Sequence, residues 1–243
     1  MARRVWHGDQ LVISCEHASN RIPPRYRNLG LSVELRQSHI AWDAGARDLA
    51  RQCARHFACA YHEGKYARVL IDLNRNLQNR QLIPQTSFGV PVPGNRALTG
   101  AERGYRVKRY YTPYREEVLR DIRTVIGSRR TCLHLSIHTF VPRYAGVLRR
   151  ADLGILYDPT RKRERDVANR LTTSLKQGGF VTRRNYPYRG SADGFTTHCR
   201  GLFPATAYLG IEIEANQRLV NDASRWPSVR RAIVVFIASA LTA

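Results

Sequence analysis

The sequence predicts an α/β fold built on a largely parallel or mixed sheet. Short apolar runs of strand length alternate with longer segments whose apolar residues recur at helical spacing. The predicted strands also end in polar or ionisable residues, as expected of a sheet whose C-terminal edge carries a site. The chain has 243 residues, enough for one large domain or two small ones, and its 43% hydrophobic content excludes a disordered polypeptide.

Leu11-Val12-Ile13-Ser14-Cys15 reads as a buried strand, followed by a loop marked by Ser19-Asn20 and Pro23-Pro24. From His39 to Phe57, Ile40, Ala44, Leu49, Ala50, Cys53 and Phe57 fall at helical spacing. Arg68-Val69-Leu70-Ile71-Asp72-Leu73 reads as the next strand. Residues 84–98, with three prolines and two glycines, predict a long loop of the kind that is often functional. Thr99 to Ile126 reads as a long helix with a break or kink at Pro113. Cys132 to Ile137 and Leu153 to Tyr157 are predicted strands, and Arg163 to Gln177 is a helix stopped by Gly178-Gly179. Ala207 to Glu214 is a strand, and Trp226 to Leu241 a terminal helix with Pro227 in its first turn.

Lys and Arg number 40 against 19 Asp and Glu, a formal net charge of +21. Such an excess suits nucleic acid, acidic lipid or an anionic substrate. The cations are dispersed, and no basic tail, helix-turn-helix or RNP-like signature accompanies them, which argues against nucleic acid. Five cysteines without a C-x-x-C pair give neither a disulfide framework nor a zinc knuckle and suit a reducing compartment. No apolar run is long enough to span a membrane. Residues Met1 to Asp9 turn polar before an apolar stretch can build. The expected location is therefore cytoplasmic.

The strand ends carry the chemistry. His17 follows the first strand as a metal ligand, an acid-base group or a hydrogen-bonded structural histidine. His39 and Asp43, four apart, would share a helix face and bind a metal together, or one would orient the other. Ser136-Ile137-His138-Thr139 closes a strand; His138 with His17 and one carboxylate makes two His and one Asp/Glu, a common catalytic zinc set. In Ile211-Glu212-Ile213-Glu214 the period of two puts both carboxylates on one strand face. Buried together they need cations or a metal, and a carboxylate beside such a metal is the usual general base of metal-assisted hydrolysis. Asn74-Arg75 sets an amide beside a guanidinium suited to a carboxylate, unless the arginine caps a carbonyl or pairs with Asp72. Arg149-Arg150 and Asn185-Tyr186-Pro187-Tyr188 are further candidates for anion and substrate contacts.

Five segments in order resemble the N-formylglutamate amidohydrolase family: Cys15 to Pro23, His39 to Ala46, Ile71 to Arg75, Ser136 to His138 and Glu212 to Glu214. The resemblance covers roughly residues 10–218 and implies one catalytic domain over 1–243. It implies a three-layer α/β/α sandwich with a mixed, mainly parallel sheet, like zinc carboxypeptidases and zinc N-acetylmuramoyl-L-alanine amidases. It further implies one Zn2+ and hydrolysis of an amide next to a carboxylate. By the same matching His17 is the first metal ligand, His138 the later one and Glu214 the catalytic glutamate, while Asn74-Arg75 holds a substrate carboxylate. Carboxypeptidases carry a glutamate ligand three residues after the first histidine; here that position is Asn20, and Glu16 precedes the histidine instead. Amidases take the acidic ligand from further downstream, which points to Asp43, with His39 as the substitute.

The expected reaction is removal of a formyl or related acyl group from an N-acylated acidic amino acid such as N-formylglutamate, with Glu212 supporting a metal ligand. Two competitors stand beside it. One keeps the zinc hydrolase and changes the substrate to a peptide or peptidoglycan-type amide bearing a carboxylate. The other is a basic nucleic-acid-binding protein that has lost catalysis, which would show steeply salt-dependent binding and no metal.

Overall fold

The computed structural model describes residues 6–242. In chain order the strands are β1 (Leu11–Cys15), β2 (Ala60–Glu63), β3 (Thr86–Ser87), β4 (Val90–Pro91), β5 (Cys132–Phe140), β6 (Arg143–Tyr144), β7 (Val147–Leu148), β8 (Leu153–Leu156), β9 (Thr182–Arg184) and β10 (Tyr208–Asn216). The helices are α1 (Val33–Gln37), α2 (Ala46–Phe57), α3 (Gly100–Arg106), α4 (Thr112–Gly127), α5 (Lys162–Gln177), α6 (Phe195–Leu202), α7 (Gln217–Val220) and α8 (Trp226–Thr242). Six strands form one sheet in the order β2-β1-β5-β10-β8-β9. β2, β1, β5 and β10 run parallel, and β8 pairs antiparallel with β10 while running parallel to β9. The sheet is mixed and mainly parallel, as the sequence predicts. β3-β4 and β6-β7 are two separate hairpins.

The period-two alternation of the central strands separates core from site. Leu11, Ile13, Leu133, Leu135, Ile137, Leu209, Ile211 and Ile213 point to one face and join a core covered by α2, α5 and α8. The residues between them, Ser14, Ser136, His138, Glu212 and Glu214, point to the other face, which α4 and α6 cover together with the segments around 29–41 and 67–83. Register places Ser136 beside both Ser14 and Glu212, and His138 beside Glu214. Polar residues that would be costly inside the first core therefore collect on one patch of the second face.

Three predicted elements change. The helix expected from His39 begins only at Ala46, because Gly45 adopts φ +80, a left-handed conformation that ends the preceding turns and starts α2. A Cβ there would also lie 2.7 Å from Val220 side-chain atoms. Within α2, Ala46, Leu49, Ala50, Cys53, Ala54 and Phe57 form the buried stripe that the sequence spacing predicts. Arg68 to Leu73 is not a strand. Val69, Leu70, Ile71 and Leu73 are buried, but this run packs as turns in the second core. The amides of Arg68, Leu70 and Asp72 donate to the carbonyls of Ala41, Ala67 and Leu82, and side chains in place of a ladder satisfy several of the run's carbonyls. Asn95 Nδ2 donates to the carbonyl of Val69 (2.8 Å), Arg106 Nη1 to that of Leu70 (3.1 Å) and Arg115 Nη1 to that of Leu73 (3.3 Å). An apolar run signals burial, and burial without a strand is possible wherever such donors are supplied. The long helix from 99 is interrupted by a π-helical turn over Val107–Tyr111 immediately before Pro113, which sits in the first turn of α4. Proline lacks the amide hydrogen that would continue the ladder there.

The short edge strands β2 and β9, the two hairpins and α6 have no counterpart among the predicted elements. Part of the arginine excess is consumed inside the fold. Arg106, Arg115 and Arg200 are buried and donate to backbone carbonyls. Arg161 likewise donates to the carbonyl of Arg200 at 2.6 Å. All five cysteines are unpaired. Among the described residues, no helix is long and apolar enough to cross a membrane.

Candidate active site

The C-terminal ends of the parallel strands open onto a cleft of about 480 Å3. His17, Asp43, His138, Glu212, Glu214 and Arg75 are among its lining residues. His17 lies just past β1 and His138 near the end of β5. Asp43 comes from the turns before α2, tied back by its amide donating to the carbonyl of His17 at 2.9 Å.

Asp43 Oδ2 lies 3.3 Å from His17 Nδ1 and 2.9 Å from His138 Nδ1. One ligand atom from each of His17, Asp43 and His138 lies within 4.8 Å of the others, and all three residues are buried. The opposite ring nitrogens are held by other acids. His17 Nε2 is 2.7 Å from Asp72 Oδ1, and His138 Nε2 is 3.1 Å from Glu16 Oε2 and 2.9 Å from Ser136 Oγ. Carboxylates at Nε2 favour the proton on that nitrogen, so each imidazole presents its Nδ1 lone pair toward Asp43. Two ring nitrogens and a carboxylate aimed at one buried point form a set that can hold a cation. The spacing suits it, since ligands about 2.0–2.2 Å from a tetrahedral zinc stand roughly 3.3 Å apart. These residues fit a divalent metal.

Around this trio the charges are arranged in layers. Burial disfavours the charged form of His17 and brings its pKa to about 4, with the Arg68 charge adding to the effect and Asp72 opposing it. Burial also pushes Glu16 and Asp72 up, yet their histidine partners hold both carboxyls well below the usual range. For His138, burial opposes protonation, but the hydrogen bond and charge of Glu16 outweigh it and raise its pKa. Tyr114 donates its hydroxyl to Glu16 Oε1 at 3.0 Å and Ser136 donates to Oε2 at 2.6 Å, which fixes the acid behind His138. Arg68 pairs with Asp43 Oδ1.

Glu214 differs from the other acids. It is buried, and its Oε2 has no hydrogen-bond partner among the described residues. Burial lifts its pKa to about 7, with His138 opposing, Glu212 adding and Arg68 and Arg149 opposing. Its neighbour on the same face, Glu212, accepts from Thr196 Oγ1 at 2.6 Å. Glu212 thus bonds to the start of α6, and its charge acts on the candidate ligand His138.

Asn74 and Arg75 reach the cleft from a turn, although no strand precedes them. Asn74 Oδ1 accepts from the amide of Phe195 at 2.6 Å, and its Nδ2 stands 3.5 Å from His138 Nε2. Arg75 Nη1 donates to the carbonyl of Asp193 at 2.7 Å. The Asp193 carboxylate accepts from the side chains of Asn76 (2.7 Å) and Asn79 (2.6 Å), locking the two loops together. The carbonyl of Arg75 accepts from Tyr111 and Arg115. The side-chain pairing of Arg75 with Asp72 that the sequence left open is not formed, because Asp72 is taken by His17.

The sequence profile of the N-formylglutamate amidohydrolase family matches residues 9–221. The chain belongs to that family. An Agrobacterium tumefaciens gene product of known structure is 28% identical to this family member, with a TM-score of 0.85 over 99% of this chain and 95% of the other. An N-formylglutamate amidohydrolase from Ralstonia eutropha is 18% identical, with a TM-score of 0.71 over 98% of this chain and 93% of its own. At that identity the second likeness speaks for the fold. No curated protein matches the sequence.

Of the candidates read from the sequence of this N-formylglutamate amidohydrolase family member, the fold brings His17, Asp43, His138, Glu214, Glu212, Asn74, Arg75 and His39 to one cleft. His39 does not share a helix face with Asp43. It lies in the turns before Gly45, where its Nδ1 accepts from Gln217 Nε2 at 3.0 Å and stands 3.2 Å from Asp43 Oδ1. That nitrogen is occupied, so His39 stands beside the trio and outside it. Arg149 is not in the cleft wall. It is buried behind it, stacked 4.8 Å from the Tyr144 ring and 5.2 Å from that of Tyr188. Of Asn185 to Tyr188, Tyr188 lines the cleft, whereas Asn185 caps the amides of Tyr157 and Gly190. Sequence reasoning missed Arg68, Asp193 and Thr196 as cleft-shaping residues. Arg68 was hidden as the first residue of a supposed strand, and the Asp193-Gly194 turn signal was the one mark of the second loop.

Proposed function

We propose that the chain is a zinc-dependent amidohydrolase acting on an N-acylated acidic amino acid, with N-formyl-L-glutamate as the reference substrate. The observation that carries this reading is the convergence of His17, Asp43 and His138 beside the unpartnered carboxylate oxygen of Glu214. His17, Asp43 and His138 would hold the metal. When bound, zinc supplies a Lewis acid that acidifies water and polarises a carbonyl.

The chain's own groups do the rest. Glu214 Oε2 takes a proton from the attacking water and returns it to the leaving amine nitrogen. Its pKa of about 7 suits both directions of transfer. Arg75, braced through Asp193 and flanked by Asn74, holds the carboxylate of the amino-acid part and so sets the scissile carbonyl over the trio. The Arg68 guanidinium, whose Nε has no hydrogen-bond partner among the described residues, sets a positive charge beside the place where negative charge develops on the carbonyl oxygen. Asp72 and Glu16 keep the two imidazoles in one tautomer and orientation.

Zinc-loaded protein is expected to release free amine from N-formyl-L-glutamate, and a chelator to stop the release. Protein shown to hold one zinc but releasing no amine would sink the assignment. Arg75→Ala is expected to raise KM for carboxylate-bearing substrates by about 10–100-fold, the scale of a charge-assisted bidentate contact. An equal effect on carboxylate-free amides would remove Arg75 from the clamp.

A further inference from the structure

Resting on that reading, we infer that the acyl side of the substrate carries an aromatic ring, bound by a wall that the two hairpins build next to the metal trio. Side-chain contacts order the cleft. Asn74 Nδ2 stands 3.5 Å from His138 on one side of the trio, with Arg75 next in the chain. On the other side His39 stands 3.2 Å from Asp43, and its ring centroid is 4.8 Å from that of Phe88. Phe88 in turn meets Tyr144 edge to face, centroids 5.7 Å apart at 87°. A substrate whose carboxylate sits at Arg75 and whose carbonyl sits over the trio therefore points its acyl group at His39, Phe88 and Tyr144. A formyl group, one carbon with its oxygen, carries no ring to meet that wall.

The wall is built, and the sequence spends backbone energy on it. β3-β4 turns through Phe88 (φ 49) and Gly89 (φ 81), and β6-β7 through Ala145 (φ 47) and Gly146 (φ 80). Both are two-residue hairpins with left-handed central residues, positions that favour Gly, Asn or Asp. A bulky Phe at such a position is strained, and strain of this kind gathers at ligand-binding segments. The first hairpin is pinned by Ser87 Oγ donating to the carbonyl of Ile40 at 3.2 Å, the second by the Arg149 amide donating to that of Pro142 at 2.8 Å. Phe88 and Tyr144 are nonetheless 38% and 45% exposed, with the Arg68 guanidinium 5.9 Å from the Phe88 ring and the Arg149 guanidinium 4.8 Å from that of Tyr144. Beyond them the cleft continues into a shallower groove that shares His39, Phe88 and Tyr144 and adds Ile40, Val141 and Ala145. Aromatic faces and edges presented this way match an incoming ring through offset or edge-to-face stacking.

The test compares kcat/KM of the zinc-loaded protein for N-formyl-, N-acetyl- and N-benzoyl-L-glutamate. The benzoyl substrate is expected to exceed the acetyl one by about tenfold, the scale of one aromatic contact with the area it buries. Phe88→Ala and Tyr144→Ala are each expected to cut the benzoyl-to-formyl ratio several-fold. Cleavage of the formyl and acetyl substrates with no gain for benzoyl would overturn this inference and leave the amidohydrolase reading standing. A ratio unmoved by both alanine variants would overturn it too. If none of the three is cleaved, the amidohydrolase reading fails on its own. Calorimetry with zinc-loaded Glu214→Gln then decides the aromatic wall. Tighter binding of N-benzoyl- than N-acetyl-L-glutamate, lost in the added Phe88→Ala change, supports it, and equal binding refutes it.

Discussion

Glu214→Gln is expected to lower kcat by about 10²–10⁴-fold, the usual worth of a positioned general base, while the protein keeps its full complement of metal. Glutamine fills the same space on β10 and cannot accept the proton. The carboxylate is not among the three groups that converge on the metal position, so binding of the ion should survive. The pH profile gives a second reading of the same group. A base must be ionised to act, so kcat/KM should rise with pH along a limb governed by Glu214, whose pKa burial lifts to about 7. A bound dication adds an opposing positive charge and moves that limb lower, never higher. The limb should vanish in Glu214→Gln. Turnover near wild type, or metal loss in this variant, would remove Glu214 from the role.

His138→Ala is expected to abolish stoichiometric metal binding, read as metal per chain after dialysis, and with it the amidase activity. Losing a partner that merely orients a ligand weakens metal binding by about 10–100-fold, so losing the ligand should exceed that range. The change also strips Glu16 of its imidazole partner in a buried position, leaving only Ser136 and Tyr114 to satisfy it. Removing one member of a buried pair costs about 3–5 kcal/mol, and a lowered thermal midpoint is expected. Asp43→Asn keeps shape and both histidines while removing the shared charge, and it leaves the buried Arg68 guanidinium without its carboxylate partner. It should lose metal and stability together. Full metal occupancy in both variants would place the ion elsewhere.

Much of this was legible beforehand, and the reason is periodicity. The alternation in Leu133 to His138 and in Leu209 to Glu214 assigns apolar residues to one face and acids and histidines to the other, whatever packs against them. The stripe of α2, the stop at Gly178 and the terminal helix are likewise local matters of spacing and capping. The failures share a cause. Arg68 to Leu73 is apolar enough for a strand, but its carbonyls bond to Asn95, Arg106 and Arg115, which lie 26, 36 and 42 residues further along the chain. No window of neighbouring residues contains that information. His39 to Asp43 fits a helix, but a left-handed Gly45 settles the start of α2.

The four inner strands β1, β5, β10 and β8, the face on which the polar residues gather and the residue types of the trio can all be read from the sequence, because they follow from short-range alternation and from side-chain chemistry. Tertiary structure supplies the reason why Asp43, to which the resemblance points, is the acid beside the two histidines. Asp43 is chosen over His39, Glu16 and Asn20 because its loop folds back onto the carbonyl of His17, while Glu16 is consumed behind His138 and His39 is held by Gln217. It also decided that Arg149 stacks behind the wall, that Arg68 stands at the centre and that two hairpins far apart in sequence meet through Phe88 and Tyr144. Those outcomes depend on long-range packing, where each group's role is set by which competitor already occupies its partner.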